Sequence, residues 1–314
     1  MKKLTMNSRR SVAALGLSVA LAGSLVACSS ADNGDAGGDN GGAEGVDVAG
    51  VIIQKDDELA AMLPEDVAAE GKLTAIQYDN APADTFLDED SNLVGWGPDL
   101  GRAVAATLGL EYEAEVSGAF DTFMPGIQNG RYDTSWASII ISDERLEVVD
   151  IVSAHESTTG VITNEGSGLT IAAPEDLCGL KVGALAGSAF LIQIEEIGEI
   201  CEDAGESAPS VDSFPQQGAA VLAVQSDRID AFMTAKGQLT WLFRDGSDVE
   251  GLEVQPLDYQ PNLEGVAVGK DSGMTEPIAA ALNKLIGDGS YEKILATWGI
   301  DFGLVETAEV NPAV

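Results

Sequence analysis

From residue 72 onward, short β-branched segments alternate with segments whose apolar residues recur at helical spacing, an order that restricts the fold more than any single motif. Residues 72–78 have strand length and alternation, and the Asn80-Ala-Pro82 loop follows them. After an acidic turn at 88–92, residues 97–108 show helical periodicity, with Pro98 in the first turn and Gly109 at the end. Residues 111–116 read as a strand, 120–128 as a short helix stopped at Gly130, and 132–141 as a buried strand. Further on, 180–185 and 229–233 read as strands, while a helix opens at Gly187-Ser188 and others span 219–226, 277–286 and 291–298. This alternation predicts an α/β protein with parallel sheets, its ligand at the carboxyl ends of strands and the amino ends of helices.

At 314 residues the chain has the length of about two domains, and 45% apolar residues are enough for their cores. Asp and Glu number 52 against 16 Lys and Arg, a formal charge of −36. Such a surface repels phosphate polyanions and anionic lipid headgroups, so nucleic-acid binding is excluded. Screening relieves this self-repulsion, so the acidity points to tolerance of high salt or to an acidic cell-surface role.

Residues 1–27 contain no acid, start with Lys2, Lys3, Arg9 and Arg10, and run through an apolar stretch to Leu25-Val26-Ala27-Cys28. The order of charged, apolar and small residues is that of a secretory signal peptide. The Leu-Val-Ala-Cys ending resembles the lipobox of bacterial lipoproteins, which implies a lipid on Cys28 and an anchor at the outer face of the cytoplasmic membrane. An uncleaved single-span anchor is the alternative, although the apolar run is short against the ~20 residues a bilayer needs. Residues 28–50 lack aromatics and read as a flexible acidic tether, so folding is expected to start near residue 51. Cys178 and Cys201 then remain, and in an oxidising compartment they are expected to pair, two buried thiols being the alternative. One His and no close Cys pair disfavour zinc, and no cofactor or metal is expected.

Three strings lie close together: Gly130-Arg-Tyr-Asp133, Ser138-Ile-Ile-Ile-Ser142-Asp-Glu-Arg145 and Val149-Asp-Ile-Val-Ser153. Around them stand Asn80-Ala-Pro82, Gly95-Trp96-Gly97-Pro98-Asp99-Leu100, Leu180-Lys-Val-Gly183, Gly187-Ser188, Asp227-Arg-Ile-Asp-Ala231 and the run from Asp288 to Gly299. In this order they resemble the signature of family 3 solute-binding proteins, the polar amino-acid receptors of ABC importers, over about residues 65–302. The resemblance implies a type II periplasmic-binding-protein-like clamp of two lobes with two crossovers. Lobe 1 would hold 51–155 and 256–308, lobe 2 would hold 156–255, and 309–314 would be a tail. It further implies a ligand between the lobes, hinge closure upon it, and a permease that recognises the closed form. A monomeric, non-enzymatic receptor for a small carboxylate-bearing solute, an amino acid or related compound, is therefore expected. The competing reading is a dehydratase-like enzyme of prephenate or arogenate type on the same scaffold.

Within that resemblance Arg145 matches the family's carboxylate-binding Arg, whose planar fork fits a carboxylate bidentately. A surface Arg paired with Glu144 or Asp143 is the alternative. Ser138 matches a Ser that donates to the ligand, and Ile140 stands where Ser or Thr is common, leaving only its backbone N–H for that role. Trp96 falls where the family sets an aromatic over the ligand, unless it is a core Trp; Asn80 belongs to the adjoining loop. Gly187 and Ser188 open a helix whose free N–H groups and dipole favour an anion, with Ala189 in place of the usual Thr.

The main departure is Ala235, where α-amino-acid receptors of the family commonly carry an Asp for the ligand ammonium. A buried ammonium without an anionic partner is costly. Either Thr234, Asp84 or another carboxylate supplies the contact, or the ligand is not a standard α-amino acid. Lys236 reads as a solvated side chain or as the partner of a second carboxylate. Asp88-x-Asp90-x-Asn92 has Leu93 where an EF-hand needs Gly, so it reads as an acidic turn. His155 reads as structural or exposed.

Overall fold

A computed structural model describes residues 45–244 and 249–313. The expected signal peptide, Cys28 and most of the tether lie outside them. Folding starts earlier than expected: Val46–Val48 (β1) pairs antiparallel with Val51–Ile53 (β2). Val48 and Ile53 are buried, so a few well-spaced apolar residues here outweigh the acidic surroundings. Asp56 caps Asp57–Ala60 (α1) through its carboxylate, and Glu65–Glu70 (α2) ends at Gly71 in the left-handed region.

Lys72–Tyr78 (β3) leads into a small sheet of Asn80–Ala81 (β4), Thr85–Leu87 (β5) and Leu93–Val94 (β6). The Asp88 carboxylate accepts from the N–H groups of Asp90 and Asn92, closing the acidic turn on itself. Trp96–Leu108 (α3) ends at Gly109, as its periodicity predicts. Gly97 lies so close to the Trp136 carbonyl that no side chain fits there, which lets α3 settle on the sheet. Glu111–Ser117 (β7), Phe123–Gln128 (α4) and Thr134–Ile140 (β8) follow, with a single 3-10 turn ahead of α4. The Ser142 hydroxyl accepts from the Arg145 N–H, capping Asp143–Val148 (α5) and fixing Arg145 in its first turn.

Asp150–Asn164 (β9) is one 15-residue strand that carries the chain out of the first half of the molecule into the second. There the chain forms Lys181–Leu185 (β10), Ala189–Asp203 (α6), Ser210–Phe214 (β11), Gln217–Gln225 (α7), Ala231–Ala235 (β12) and Lys236–Leu242 (α8). β12 starts two residues later than expected because Asp230 is held at the Lys181 backbone by both its N–H and its carboxylate. Leu252–Val254 (β13) pairs with β9, and Tyr259–Val268 (β14) returns beside β9 to the first half. Thr275–Gly287 (α9) and Ser290–Thr297 (α10) complete that half.

One sheet passes through the molecule in the order β11-β10-β12-β9-β14-β8-β3-β7. Its outer strands pair in parallel, β10 with β11 and β12, and β3 with β7 and β8, as the alternation predicts. β9 and β14 are antiparallel to each other and pair over most of their length, so two adjacent strands make both crossings of a two-lobe clamp. Each half has its own core. α3, α9 and α10 bury Leu100, Val104, Ile278, Leu282 and Leu295, while α6 buries Phe190, Ile194 and Ile197 against Val182 and Met233. The expected Cys178–Cys201 disulfide is formed and holds the last turns of α6.

The last residues differ from a free tail. Val310 bridges to Val152, the Ile151 N–H donates to the Asn311 carbonyl oxygen Oδ1 at 2.8 Å, and Ala308 is buried. A free length of β9 gives these residues backbone partners that sequence periodicity does not reveal.

Candidate functional site

The carboxyl end of β8, the start of α5, the amino end of α6 and the crossing strand β14 converge on a narrow cavity. Its volume is about 40 Å³, enough for a few small polar atoms. Arg145, Ser138, Ile140, Ser188 and Thr234 all line it, as do Ala189 and Ala235. Tyr78, Phe120, Leu185 and Phe190 supply an apolar wall, and Gln217, Gln238 and Glu264 supply polar atoms.

Arg145 donates through Nη1 to the Ile140 carbonyl at 2.7 Å and through Nη2 to the Gly187 carbonyl at 3.0 Å. Neither partner is charged, and no carboxylate lies within 4.0 Å of the guanidinium among the described residues. Burial pulls its pKa down to about 10 despite Glu144 and Glu264. The unused N–H donors of a desolvated cation are what a carboxylate would complete. Ser138 sits at φ 51°, a strained position for a residue with a side chain, and its buried hydroxyl has no partner.

A second ionisable group lines the cavity from β14. Glu264 is 2% exposed, and burial pushes its pKa up to about 7 against the opposing effect of His155. His155 Nδ1 lies 3.6 Å from Glu264 Oε2, and its Nε2 is 3.1 Å from the Phe302 carbonyl. Burial works against a charge on His155, but Glu264, Asp84 and that carbonyl outweigh it and its pKa is raised. Asp84 is buried with a raised pKa, yet both its oxygens are used: Trp96 Nε1 donates at 2.9 Å and Gln238 Nε2 at 2.8 Å. Together with the Arg145–Gly187 and Gln238–Asp84 bonds, one further contact closes the cleft, from the Gln217 N–H to the Tyr78 hydroxyl oxygen at 3.2 Å.

The remaining candidates sit elsewhere. Trp96 is 3% exposed and packs against His155 at 5.3 Å between ring centres, so it buttresses the site from behind without lining it. Asn80 is exposed on β4, away from the cavity lining. Gly187 meets Arg145 through its carbonyl, and Ile140 also offers its carbonyl, whereas its N–H was the expected contact. Lys236 pairs with Asp258 at 2.6 Å outside the cavity. Glu264, Gln238 and Gln217 escape the sequence reading. The available signal was a lone acid in the apolar run Leu263-Glu264-Gly265-Val266-Ala267-Val268.

Comparison with known proteins agrees with this architecture. The sequence profile of the bacterial extracellular solute-binding proteins, family 3, matches residues 73–301. The arginine-binding protein ArgT of Corynebacterium glutamicum is 30% identical over 259 residues, 81% of this chain and 83% of its own length. The ABC transporter glutamine-binding protein GlnH of Bacillus subtilis is 28% identical over 251 residues, 78% of this chain and 85% of its own. Among solved structures, an ancestral arginine-binding protein bound to glutamine superposes with a TM-score of 0.65 at 28% identity, covering 74% of this chain and 98% of that one.

Proposed function

The chain belongs to the bacterial extracellular solute-binding proteins, family 3, and from that premise we propose that it is the lipid-anchored receptor of an amino-acid ABC importer. It captures a small carboxylate-bearing solute, an amino acid or close relative, in the cleft between its lobes and delivers it to the permease. The observation that carries this reading is Arg145, a desolvated guanidinium on the cavity wall with only backbone carbonyls as partners. Ser138, Ser188 and the amino end of α6 assist it, and Thr234 joins them from β12. Lobe 1 comprises 51–155 and 256–308, joined by β1 ahead of them and by the segment around Val310 after them, and lobe 2 comprises 156–255; the passage of β9 and β14 between the halves supports that division. Cys28 carries the lipid after removal of residues 1–27, which holds the receptor, a monomer, at the outer face of the cytoplasmic membrane.

A ligand that binds only the folded state raises its melting temperature, so a thermal-shift screen of amino acids, dicarboxylates, opines and polyamines tests the receptor reading. A response to carboxylate-bearing solutes supports it, and silence across the panel rejects it. Loss of lipid incorporation in Cys28→Ala tests the anchor. One observation favours a dehydratase-like second reading: Glu264 is a cleft carboxyl with a pKa near neutrality, suited to proton transfer. Steady conversion of prephenate or arogenate by the purified protein would establish that reading over the first.

A further inference from the structure

The cavity holds a guanidinium and a carboxyl that do not meet. Arg145 and Glu264 both line it, yet no ion pair joins them within 4.0 Å, although each is desolvated and each lies in the other's field. A half-buried guanidinium and a buried carboxyl left apart in one enclosure are each short of an ionic partner, and a third group can complete both. A molecule with a carboxylate and an ammonium on one carbon does so, its carboxylate on the guanidinium and its ammonium on the carboxyl.

We propose that Glu264 is the counter-ion of the ligand's α-ammonium, taking over the role that Ala235 cannot perform and selecting α-amino acids over simple carboxylic acids. This inference rests on the receptor reading. Ala235 is 4% exposed and presents only a methyl group to the cavity, so β12 contributes no anion there. Asp84 is the other buried acid nearby, but its two oxygens are already held by Trp96 and Gln238. Apart from His155 Nδ1 at 3.6 Å from Oε2, no side-chain donor among the described residues pairs with Glu264, so acceptor capacity remains for a ligand. The backbone aims it: the β14 register shifts between Glu264 and Gly265, and Gly265 packs against the Val152 carbonyl so closely that only glycine fits. The unpartnered Ser138 hydroxyl offers a further acceptor in the same enclosure.

The test compares the full chain with Glu264→Gln, which keeps shape and removes the charge, and with Glu264→Asp, which keeps the charge and withdraws it. The probes are L-glutamine, L-arginine and the same two acids without their α-amines, titrated calorimetrically. Wild type is expected to prefer an amino acid over its desamino counterpart by at least about 30-fold, the scale of a buried charge contact. Glu264→Gln erases that preference, with the amino acids weakened and the desamino acids bound as tightly as in wild type or more tightly because a like charge is gone, and Glu264→Asp falls between. A preference unchanged in Glu264→Gln overturns the inference, as does a loss confined to arginine, which would assign Glu264 to a side-chain cation. Wild type that binds the desamino acids as tightly as the amino acids overturns it while sparing the receptor reading. Binding of none of the four probes overturns the inference, and silence across the wider panel above overturns the receptor reading as well.

Discussion

His155 on β9 and Glu264 on β14 face each other across the two strands that join the lobes, Nδ1 to Oε2 at 3.6 Å, with both side chains 3% exposed. Around them stand Asp84 from the loop after β4, Arg145 from α5 and the Phe302 carbonyl. The pair therefore couples the protonation of the cleft to the stability of the fold.

Its sign follows from linkage. Glu264 titrates near 7 when folded and near its ordinary 4.5 when unfolded, so between these values the folded state holds a proton the unfolded chain has released. This contribution to stability is complete below 4.5 and is lost as pH rises toward 7. His155, also raised, extends the decline above its ordinary 6.5. The melting temperature of the ligand-free protein should fall from pH 5 to pH 8, and Glu264→Gln should flatten that fall. A difference between the two proteins that stays constant with pH would refute the assignment.

Arg145→Ala should weaken the binding of any carboxylate ligand by at least about 30-fold, since a charge-assisted contact in a desolvated site is lost. Its melting temperature should fall only modestly, because the guanidinium's partners among the described residues are two backbone carbonyls and no carboxylate. Calorimetric titration beside thermal unfolding separates the two effects. Affinity within twofold of wild type would remove Arg145 from the site.

Reduction of Cys178–Cys201 opens a loop with a sequence separation of 23. The chain-entropy model gives a loss of about 3 kcal/mol for such a loop, which corresponds to a fall of roughly 6–12 °C in melting temperature for a protein of this size. Unfolding scans with and without reductant measure it. Equal melting temperatures would mean that the bond constrains neither folded nor unfolded chain.

Asn311 is bonded twice to the start of β9: its Oδ1 accepts from the Ile151 N–H at 2.8 Å, and its Nδ2 donates to Asp150 Oδ1 at 2.9 Å. Asn311→Ala should cost about 1–2 kcal/mol by leaving these groups without partners. Chemical denaturation would detect that change, and an unaltered midpoint would return these residues to the status of a tail.

At a formal charge of −36 the folded chain repels itself, so its melting temperature should rise with NaCl as the charges are screened. A flat response over molar salt would count against an adaptation to saline surroundings.

What could be read in the sequence was whatever is written locally. The helix at Trp96–Leu108 carries its own periodicity and stop, and the strand at Thr134–Ile140 its own β-branched run, so both emerged near their true limits. Arg145 was legible because its helix cap and its motif occupy one stretch of chain. β9 and β14 were not, since residues such as Ser153, His155 and Ser157 are buried by partners distant in sequence and follow no apolar alternation. Trp96 illustrates the opposite error: its position matches a family contact, but the Asp84 carboxylate draws its indole N–H into the wall behind the cavity. Glu264 stands out in the sequence as a lone acid in an apolar run, but its place opposite His155 emerges once the two crossing strands are laid side by side.

Glu264 and His155 are rungs of the same two-strand ladder that carries the chain between lobes. A substitution at position 264 is therefore made in the cavity wall and on the crossing at once, so an engineer building a sensor from this chain should measure opening beside selectivity in every variant there.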